Sequence, residues 1–554
     1  MKIVGYVLGS KPNSPYEFYF LVNKGIIVQL DDVILVKSLY ENKEIIHFGI
    51  VREIIKYTEA SQYAIETELI IDKKIPYINV SIAKVFVTRI EPEIYVPPEP
   101  SAEVYLSDKT HTEIALYFDK MENKIPIGFL RNDSNAYLNL DFVDGSNGAH
   151  VNISGMSGVA TKTSFATFLL FSLFQKSPYS NNYRAIIFNV KSTDLLYLNY
   201  PNNYKNLKNH TKETVEEEYK KLDLQPSNFK NVKILIPPKK NSITKQMDVS
   251  DSLIKGNLYY FTITEIFKKE LFKFFFVDEI HDFQSLERII SIVEKHMQNL
   301  AEKTDTELEK QGIIKTPNGY IENLEQTFEY IKEYLEENSN RLNESKSTIN
   351  AFLRRFKKIK DDCNFLTGRT EEHKTDIVKS IEDNQLTVID VHNLNEKAKL
   401  FVVSSVLYLI YLKKEEENDI NKYFFVIDEL NKYAPANNDT PIKDVVVDIA
   451  ERGRSIGIIL IGAQQTASQI DPRVISNCAI RVIGRSDPFE LSKTFYSFLP
   501  EDLKKRAIIL KPGNMIISQP DCPVPFVIKF PYPSWATRKE EVLEDNMSIK
   551  KIIF

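Results

Sequence analysis

The stretch at residues 150–174, HVNISGMSGVATKTSFATFLLFSLF, decides how the rest of the chain is organised. It begins with a short apolar run, passes through a turn that contains two glycines, and continues into a longer apolar segment. This pattern predicts a buried strand followed by a helix. Strands that alternate with helices are typical of α/β proteins with a mostly parallel sheet. We therefore place the start of an α/β core at this stretch.

The turn between the predicted strand and helix is close to a phosphate-binding loop, G-x-x-x-x-G-K-[ST], without matching it. Lys162 and Thr163 occupy the last two positions of that pattern. Thr161 stands where the second glycine is expected, and Met156 stands where the first is expected, with Gly155 one residue earlier. The loop is therefore one residue longer than the usual one, or differently bent.

The chemistry that this loop predicts is nucleotide binding. Glycines allow the backbone to approach an anion, and N–H groups at a helix N-terminus point towards it. Lys162 would reach the β- and γ-phosphates, and the Thr163 hydroxyl would bind Mg²⁺. The alternative is an ordinary Gly/Ser turn before a helix. The residues expected to contact the nucleotide are Gly155, Ser157, Gly158, Val159, Ala160, Thr161, Lys162, Thr163 and Ser164.

A second stretch, YFFVIDE at residues 423–429, supplies two carboxylates. Its continuous apolar run predicts a strand that is buried on both faces. Ligands bind at the carboxyl ends of the strands in parallel α/β sheets, which is where Asp428 and Glu429 would lie. Asp428 would hold Mg²⁺ through water, and Glu429 would polarise the attacking water as a general base. The pair is informative mainly because Lys162 is present as well.

A third stretch, FFFVDE at residues 274–279, has the same form. We interpret it as a core strand that ends in two solvated acids, Asp278 and Glu279. The sequence after each acidic pair separates the two stretches. A further helix, a further apolar strand and the pair Gln464-Gln465 follow Glu429, whereas a long helical segment follows Glu279.

Composition restricts the class of protein. A length of 554 residues with 43% hydrophobic content is enough for about two to four domains. The net charge of −5 excludes a globally basic surface, so any contact with nucleic acid must be local. The three cysteines are far apart, which fits a reducing cytosol and predicts a cytoplasmic location. The chain contains no signal-peptide pattern and no apolar run of about 18 residues, so no membrane association is expected.

The N-terminal part, residues 1–97, predicts a small antiparallel β-barrel. It is rich in β-branched and aromatic residues, and its expected strands include residues 17–22, 25–29, 32–36 and 47–51. The segment PPEP at residues 97–100 predicts a stiff linker. We therefore interpret residues 98–147 as a linker and transition to the core.

The α/β core is expected in two parts, residues 148–283 and 384–518, which form a mostly parallel, doubly wound sheet. Residues 284–383 between them predict a helical insertion, because apolar residues recur there at helical spacing. A basic cluster in this insertion is either a nucleic-acid or partner contact or a solvated helix face, and it comprises Arg354, Arg355, Lys357, Lys358 and Lys360. Residues 519–554 are rich in proline and predict an extended C-terminal arm.

The order of these features resembles the HerA branch of the HerA–FtsK ATPases. The resemblance rests on a barrel, a phosphate loop, a helical insertion, the Asp428-Glu429 strand, the segment ERGRSIG at residues 451–457, and a strand that ends in glutamine. The segments FGIV at residues 48–51 and ILKPG at residues 509–513 also resemble that family. The resemblance covers nearly the whole chain. It implies an α/β fold with a RecA-like P-loop ATPase core, an N-terminal β-barrel and an inserted helical subdomain.

Members of that family are typically hexameric ring ATPases that move duplex DNA, often beside a nuclease. Some bacterial members act in anti-phage defence beside a sirtuin-like NADase or another effector. The resemblance therefore implies ATP and Mg²⁺ as cofactors, a homo-hexamer, double-stranded DNA as a partner, and an effector protein docked on the barrel. Two functions stay open. One is a DNA translocase or helicase motor, and the other is a nucleotide-bound ring scaffold that activates the effector.

The same resemblance assigns roles to individual residues. Lys162 and Thr163 match the phosphate-binding pair, and Asp428 and Glu429 match the Mg²⁺-binding and catalytic carboxylates. Either Gln464 or Gln465 matches the polar sensor at the end of the next strand. The replaced glycine of the phosphate loop leads us to expect nucleotide binding more than fast hydrolysis.

The resemblance also implies an arginine that one subunit presents to the ATP site of the next. Arg454 matches this position, where it would stabilise charge on the transferred phosphoryl group. The alternative for Arg454 is a helix-terminal arginine that interacts with the helix dipole. The same alternative applies still more to Arg452. Further candidates for a contact between subunits are Arg473, Arg481 and Arg485.

Overall fold

A computed structural model describes residues 1–59, 64–74, 78–156, 162–205, 211–240, 245–249, 251–277, 283–339, 341–342 and 344–542. The chain divides into two compact units. The first comprises Met1–Phe142, Gly155–Thr161 and Ile480–Pro531, and the second comprises Val143–Ser154, Lys162–Ala479 and Tyr532–Phe554. Strands and helices are numbered below in chain order.

The first unit contains a closed, six-stranded antiparallel barrel, which confirms the predicted N-terminal barrel. Around the barrel the strands are β1 (Lys2–Val7), β2 (Glu17–Val22), β5 (Ile78–Glu91), β4 (Lys43–Glu59), β3 (Val33–Tyr40) and β6 (Glu103–Leu106). Inward-facing residues alternate along β2, where Phe18 and Phe20 are fully buried. The strand predicted at residues 25–29 is absent, because the chain turns at Gly25, whose φ is 80°.

The barrel extends beyond the boundary expected at residue 97. Strand β6 pairs with both β1 and β3 and so closes the barrel, although it follows the proline-rich segment at residues 97–100. Without β6, the edges of β1 and β3 would be left unpaired. The region expected to be a linker and transition also contains ordered elements, namely α2 (Lys109–Ala115), β7 (Lys124–Phe129) and β8 (Asn135–Asn139).

The rest of the first unit is an antiparallel sheet with short helices. The strand order is β18 (Cys478–Ile483), β19 (Asn514–Ser518), β20 (Phe526–Lys529), β7 and β8. Strand β18 is antiparallel to its neighbour β19. Strand β20 lies in the region expected to be an extended arm. The helices are α1 (Ala64–Ile71), α14 (Pro488–Leu491) and α15 (Glu501–Ile508).

The second unit contains the predicted parallel sheet, so the α/β fold class is confirmed. Its strand order is β12 (Asn257–Leu258), β11 (Val232–Ile236), β15 (Leu386–Asp390), β10 (Tyr183–Asn189), β16 (Lys422–Asp428), β17 (Ile458–Gln464) and β9 (Ala149–Ser154), and every paired neighbour runs parallel. The connecting helices are α3 (Lys162–Lys176), α4 (Lys212–Lys221), α5 (Ile263–Lys268), α10 (Ile377–Asp383), α11 (Glu396–Glu416), α12 (Lys443–Ile456) and α13 (Pro472–Ser476).

Apart from α10, the described part of the region expected to be a helical insertion contains four α-helices and a small hairpin. They are α6 (Phe283–Glu302), α7 (Thr306–Lys310), β13 (Ile314–Thr316), β14 (Gly319–Ile321), α8 (Leu324–Asn338) and α9 (Lys346–Cys363). The apolar faces of α8 and α9 are buried, as their helical spacing predicts. In the basic cluster on α9, Lys360 forms ion pairs with Glu325 at 2.9 Å and with Asp361 at 3.2 Å, so part of its charge is neutralised within the chain.

The structure corrects the secondary structure predicted for the FFFV stretch. Phe272–Phe276 form a 3₁₀ helix and not a core strand. Asp278, Glu279, His281 and Asp282 lie outside the described residues.

Residues 532–542 belong to the second unit. Trp535 is fully buried, and its ring centroid lies 4.8 Å from those of Phe171 and Phe229. In the expected C-terminal arm, Trp535 is thus held by aromatic packing against Phe171 of α3 and against Phe229. Among the described residues no helix is both long and apolar enough to cross a membrane. Cys363, Cys478 and Cys522 are buried free thiols.

Candidate functional site

The carboxyl ends of neighbouring parallel strands in the second unit bring most of the predicted chemistry to one edge. The register pairs Asp428 of β16 with Ala463 of β17, and Gln464 of β17 with Ser154 of β9. The chain after β9 leads to α3, which begins at Lys162. Since parallel strands present their carboxyl ends at the same edge, this is the place where such sheets bind ligands.

Lys162, the first residue of α3, is only 7% exposed. Burial lowers the pKa of its ammonium group, while the charges of Asp428 and Glu429 raise it and the charge of Lys191 lowers it further. Lys162 therefore lies within electrostatic reach of both predicted carboxylates. Thr163 follows it in the first turn of α3 and is half-buried.

Most of the predicted phosphate loop lies outside the described residues. This applies to Ser157, Gly158, Val159, Ala160 and Thr161. Ser164 is half-buried in the first turn of α3.

Gly155 lies in the described part of the chain, and its surroundings explain why this residue is a glycine. A Cβ atom at Gly155 would lie 3.1 Å from the carbonyl oxygen of Arg485, and the N–H of the next residue, Met156, donates to that oxygen at 2.7 Å. Gly155 thus permits a close approach of two backbones within the first unit. This role is independent of any contact with phosphate.

Asp428 is the last residue of β16 and is largely buried. Its carboxylate forms an ion pair with Lys191, with 2.6 Å between Nζ and Oδ2, and the two side chains are 57% (Lys191) and 14% (Asp428) exposed. Lys191 follows β10, the strand next to β16. Asp428 therefore meets a cation from the neighbouring strand.

Glu429 adopts a left-handed backbone conformation, with φ 59° and ψ 50°. A non-glycine residue pays a steric cost there, and such conformations concentrate at functional sites. The Glu429 N–H still donates to the Ala463 carbonyl at 2.9 Å, so the chain leaves the sheet directly after this bond. The carboxylate of Glu429 then turns towards Lys432.

A chain of charged groups holds the Glu429 carboxylate. Lys432 Nζ lies 2.8 Å from Glu429 Oε2 and also contacts the Glu396 carboxylate at the start of α11. Burial would raise the pKa of Glu429, but Lys432 first, and then Lys191 and Lys162, outweigh burial and lower it. Glu429 is therefore held ionised, which is the state that a general base requires.

The two glutamines at the end of β17 differ in environment. Gln464 is fully buried, and neither atom of its side-chain amide has a hydrogen-bond partner among the described residues. Gln465 is exposed. Ser154 Oγ and Asn189 Oδ1 are likewise buried without a partner in the described part of the chain. Buried polar atoms normally have partners, so this edge has unused capacity to bind a polar ligand.

These residues fit a nucleotide with Mg²⁺. A buried lysine at a helix N-terminus suits phosphate, and the unpartnered amide of Gln464 suits a polar ligand. Among the described residues no group of three or more His, Cys, Asp or Glu side chains forms a metal cluster. Mg²⁺ in nucleotide sites needs only one or two protein ligands, because phosphates and water supply the others. Thr163 and Asp428 would supply them here.

The predicted arginines are not equivalent. Arg452 forms ion pairs with Asp448 at 2.6 Å and with Glu415 at 3.1 Å, and Arg473 forms one with Asp471 at 3.1 Å. Arg454, also on α12, is exposed and has no ion pair to any of the residues that the structure describes.

The other two arginines belong to the first unit. Arg481 lies over the rings of Phe495 and Phe498, with 4.8 Å between its guanidinium carbon and the Phe498 centroid, and Arg485 is exposed.

Gly453, between Arg452 and Arg454, has a packing role. A Cβ atom at this position would lie 2.6 Å from both the His150 ring and the Ile458 carbonyl oxygen. The His150 Nδ1 accepts a hydrogen bond from the Leu460 N–H at 3.0 Å, and burial lowers the pKa of His150 to about 4. His150 is therefore neutral, and Gly453 allows α12 to pack closely on the sheet.

Sequence reasoning missed the lysines that contact the carboxylates. Lys191 lies just after β10, but nothing in the sequence pairs it with Asp428. Lys432 lies three residues after Glu429, a spacing that could have indicated a contact in a helical turn. Its second partner, Glu396, is distant in sequence, and only the fold brings the two together.

Comparisons with known proteins gave matches among solved structures only. No protein-family model matches the chain, and none of the curated proteins matches it in sequence. VirB4 of Thermoanaerobacter pseudethanolicus is similar over 77% of this chain and 99% of its own, with 14% identity and a TM-score of 0.46. The plasmid coupling protein TrwB in complex with ADP and Mg²⁺ is similar over 74% of this chain and 90% of its own, with 12% identity and a TM-score of 0.44.

A third similar structure covers a smaller part of the chain. It is the genome-packaging NTPase from Sulfolobus turreted icosahedral virus 2, in complex with ATP-gammaS. The similarity spans 27% of this chain and 70% of that protein, with 15% identity and a TM-score of 0.21.

Proposed function

We propose that this chain binds and hydrolyses ATP at the carboxyl edge of its parallel sheet. The observation that supports this most directly is the convergence of Lys162, Asp428 and Glu429 within one compact unit. Lys162 would bind the β- and γ-phosphates, and Thr163 and Asp428 would hold Mg²⁺. When bound, Mg²⁺ would neutralise charge on the phosphates.

The remaining residues would position the attacking water. The Glu429 carboxylate is ionised and so is able to orient the water and accept its proton. Gln464 is the better of the two glutamines for the sensor role, because its buried amide has donor and acceptor capacity that the described residues do not use. Gln465 is exposed.

Among proteins that bind and hydrolyse ATP, we propose a HerA-type ring motor that acts on double-stranded DNA together with an effector protein. The order of motifs along the chain supports this, and so does Arg454, an exposed cation that is available to a neighbouring subunit. In a homo-hexamer Arg454 would serve as the arginine finger. The cytoplasm is the expected location, as the cysteine pattern predicts.

A second candidate is a nucleotide-bound ring scaffold that activates the effector with little translocation. One observation favours it: Glu429 is engaged by Lys432, which is itself anchored by Glu396. A base held in this way turns over slowly unless Lys432 moves. The replaced glycine before Lys162 points in the same direction.

Nucleotide binding and DNA stimulation test the proposed class and separate the two candidates. We expect Lys162→Ala to weaken ATP binding strongly, while Lys176→Ala, at the opposite end of the same helix, leaves it unchanged. DNA-stimulated ATP turnover by the unaltered chain would support the motor. ATP binding with turnover that DNA does not stimulate would support the scaffold. Failure of the unaltered chain to bind ATP would contradict both.

The ring assignment is tested at Arg454, with Arg452 as the matched control on the same helix. Arg454→Ala should keep ATP binding but lower turnover by about 10³-fold, as loss of an arginine finger does. Arg452→Ala should keep most of the turnover, because its guanidinium is occupied within the chain. Mixed Arg454→Ala and Glu429→Gln subunits should recover part of the activity. A monomer at working concentration would contradict this assignment.

We further propose that the barrel is the docking surface for the effector. All predicted catalytic residues lie in the second unit, and the barrel lies in the first and presents exposed apolar residues such as Ile55 and Tyr57. Tyr57→Asp should reduce co-purification of the effector without changing ATP binding. The control is Tyr320→Asp, on the exposed hairpin of the helical insertion. Loss of the effector only in the control would place docking on the insertion.

A further inference from the structure

The turn that follows β10 carries a lysine in a fixed position beside the candidate metal ligand. The Asn189 amide donates to the Ser192 carbonyl at 2.8 Å and to Asp390 Oδ1 at 2.8 Å, and Asn189 and Asp390 are both buried. Ser192 adopts a left-handed conformation, with φ 49°. These bonds fix the backbone on either side of Lys191. Lys191 therefore approaches Asp428 from an anchored turn, unlike an ordinary surface lysine.

Six charged side chains of the described residues act on one another at this edge. Three lysines, Lys162, Lys191 and Lys432, meet three carboxylates, Asp428, Glu429 and Glu396. A divalent cation that approached this group alone would have to displace Lys191 from Asp428. A nucleoside triphosphate brings several negative charges and would give the displaced ammonium a new partner.

We propose that Lys191 is a resident counter-ion for Asp428 that is exchanged for Mg²⁺ when the nucleotide binds, and that its ammonium group then moves to the phosphates. The inference rests on the proposed nucleotide site and adds a positioning residue to it. The exchange makes metal binding conditional on nucleotide, so that Asp428 does not take up a cation in the empty site. The ion pair is suited to exchange, because Lys191 is 57% exposed and its ammonium group can leave Asp428, which is 14% exposed, without losing its contact with solvent.

The exchange predicts that Lys191→Met weakens the binding of nucleotide and strengthens the binding of metal. Without Mg²⁺, in EDTA, a fluorescent ATP analogue should bind the variant more weakly than the unaltered chain, because a phosphate partner is lost. In the absence of nucleotide, Mn²⁺ should bind the variant more tightly, as followed by loss of the free-ion electron paramagnetic resonance signal. Each dissociation constant should change by up to about fivefold, which corresponds to the free energy that such an ion pair contributes.

Two further variants serve as controls. Lys191→Arg keeps the charge on the same turn and should stay close to the unaltered chain in both measurements. Lys176→Met removes a lysine at the opposite end of α3, which pairs with Asp223, so it should leave Mn²⁺ binding in the absence of nucleotide unchanged.

The outcomes separate this inference from the proposed function. If Lys191→Met weakens both the nucleotide analogue and Mn²⁺, or changes neither, the exchange is wrong although the nucleotide site stands. If the unaltered chain binds no nucleotide analogue with or without Mg²⁺, the proposed function itself is wrong. Tight Mn²⁺ binding to the unaltered chain without nucleotide would also overturn the exchange.

Discussion

Two stretches with almost the same local sequence, FFFVDE at residues 274–279 and YFFVIDE at residues 423–429, have different structures. The later one is β16, with strand partners on both sides. The earlier one forms the 3₁₀ helix Phe272–Phe276. An apolar run of this length is compatible with a buried strand and with a buried helical segment, and periodicity alone does not separate them.

The surroundings decide between the two conformations. In β16, Tyr183–Ile187 of β10 and Ile458–Ala463 of β17 supply backbone partners, so an extended chain satisfies its N–H and C=O groups. In the 3₁₀ segment the phenylalanines pack against helices instead. Phe275 stacks on Phe401 of α11 with 3.7 Å between ring centroids, and Phe272 contacts Phe356 of α9 edge-on at 5.1 Å. Backbone pairing therefore fixes the structure of β16, and side-chain packing fixes that of the 3₁₀ segment.

The largest expected difference between the two stretches concerns chemistry. Glu429→Gln keeps the size of the side chain but removes the general base, so ATP turnover should fall by about 10²- to 10⁴-fold while ATP binding remains. Glu279→Gln, the matched change in the other stretch, should leave turnover unchanged. Steady-state ATP hydrolysis and nucleotide titration measure both. Turnover that survives in Glu429→Gln and is lost in Glu279→Gln would reverse the assignment.

A second prediction concerns what each stretch contributes to stability. Phe275 and Phe425 are both fully buried, so replacing either with Ala should lower the free energy of unfolding by about 3–5 kcal/mol. Only Phe425→Ala should also weaken nucleotide binding by the folded protein, because Asp428 follows it in the same strand. Urea unfolding and nucleotide titration distinguish the two effects. An equal loss of nucleotide affinity in Phe275→Ala would mean that the earlier stretch supports the site as well.

Features that depend on local sequence patterns could be predicted, whereas features that depend on contacts between distant residues could not. The barrel, the parallel sheet and α11 follow local patterns of apolar residues, so they could be predicted. Strand β6 is short and follows a proline-rich segment, and only its pairing with β1 and β3 identifies it. Lys191 and Glu396 reach the site from other strands and helices. Their contacts depend on strand order, which local patterns do not determine.

The last prediction concerns the positive charge of Lys432, which holds the Glu429 carboxylate in its ionised form. Lys432 is the strongest of the cations that lower the pKa of Glu429, and it acts against burial. Because the folded pKa lies below its ordinary value, the carboxylate of the unaltered chain stays ionised down to a lower pH than an ordinary glutamate does. In Lys432→Met the pKa of Glu429 should rise, so turnover should begin to fall at a higher pH than in the unaltered chain.

Lys432→Met should also change the stability of the fold, in a direction that stability measurements can check. A carboxylate with a lowered folded pKa stabilises the fold above its unfolded pKa, and this contribution is lost as the pH falls through the folded pKa. Lys432→Met should therefore reduce stability at neutral pH by a small amount and less at acid pH, where Glu429 is protonated in both states. Lys432→Arg keeps the cation and serves as the control in both measurements. If the acid limb of turnover is the same in Lys432→Met and the unaltered chain, Lys432 does not set the ionisation of Glu429, and the base of the reaction lies elsewhere.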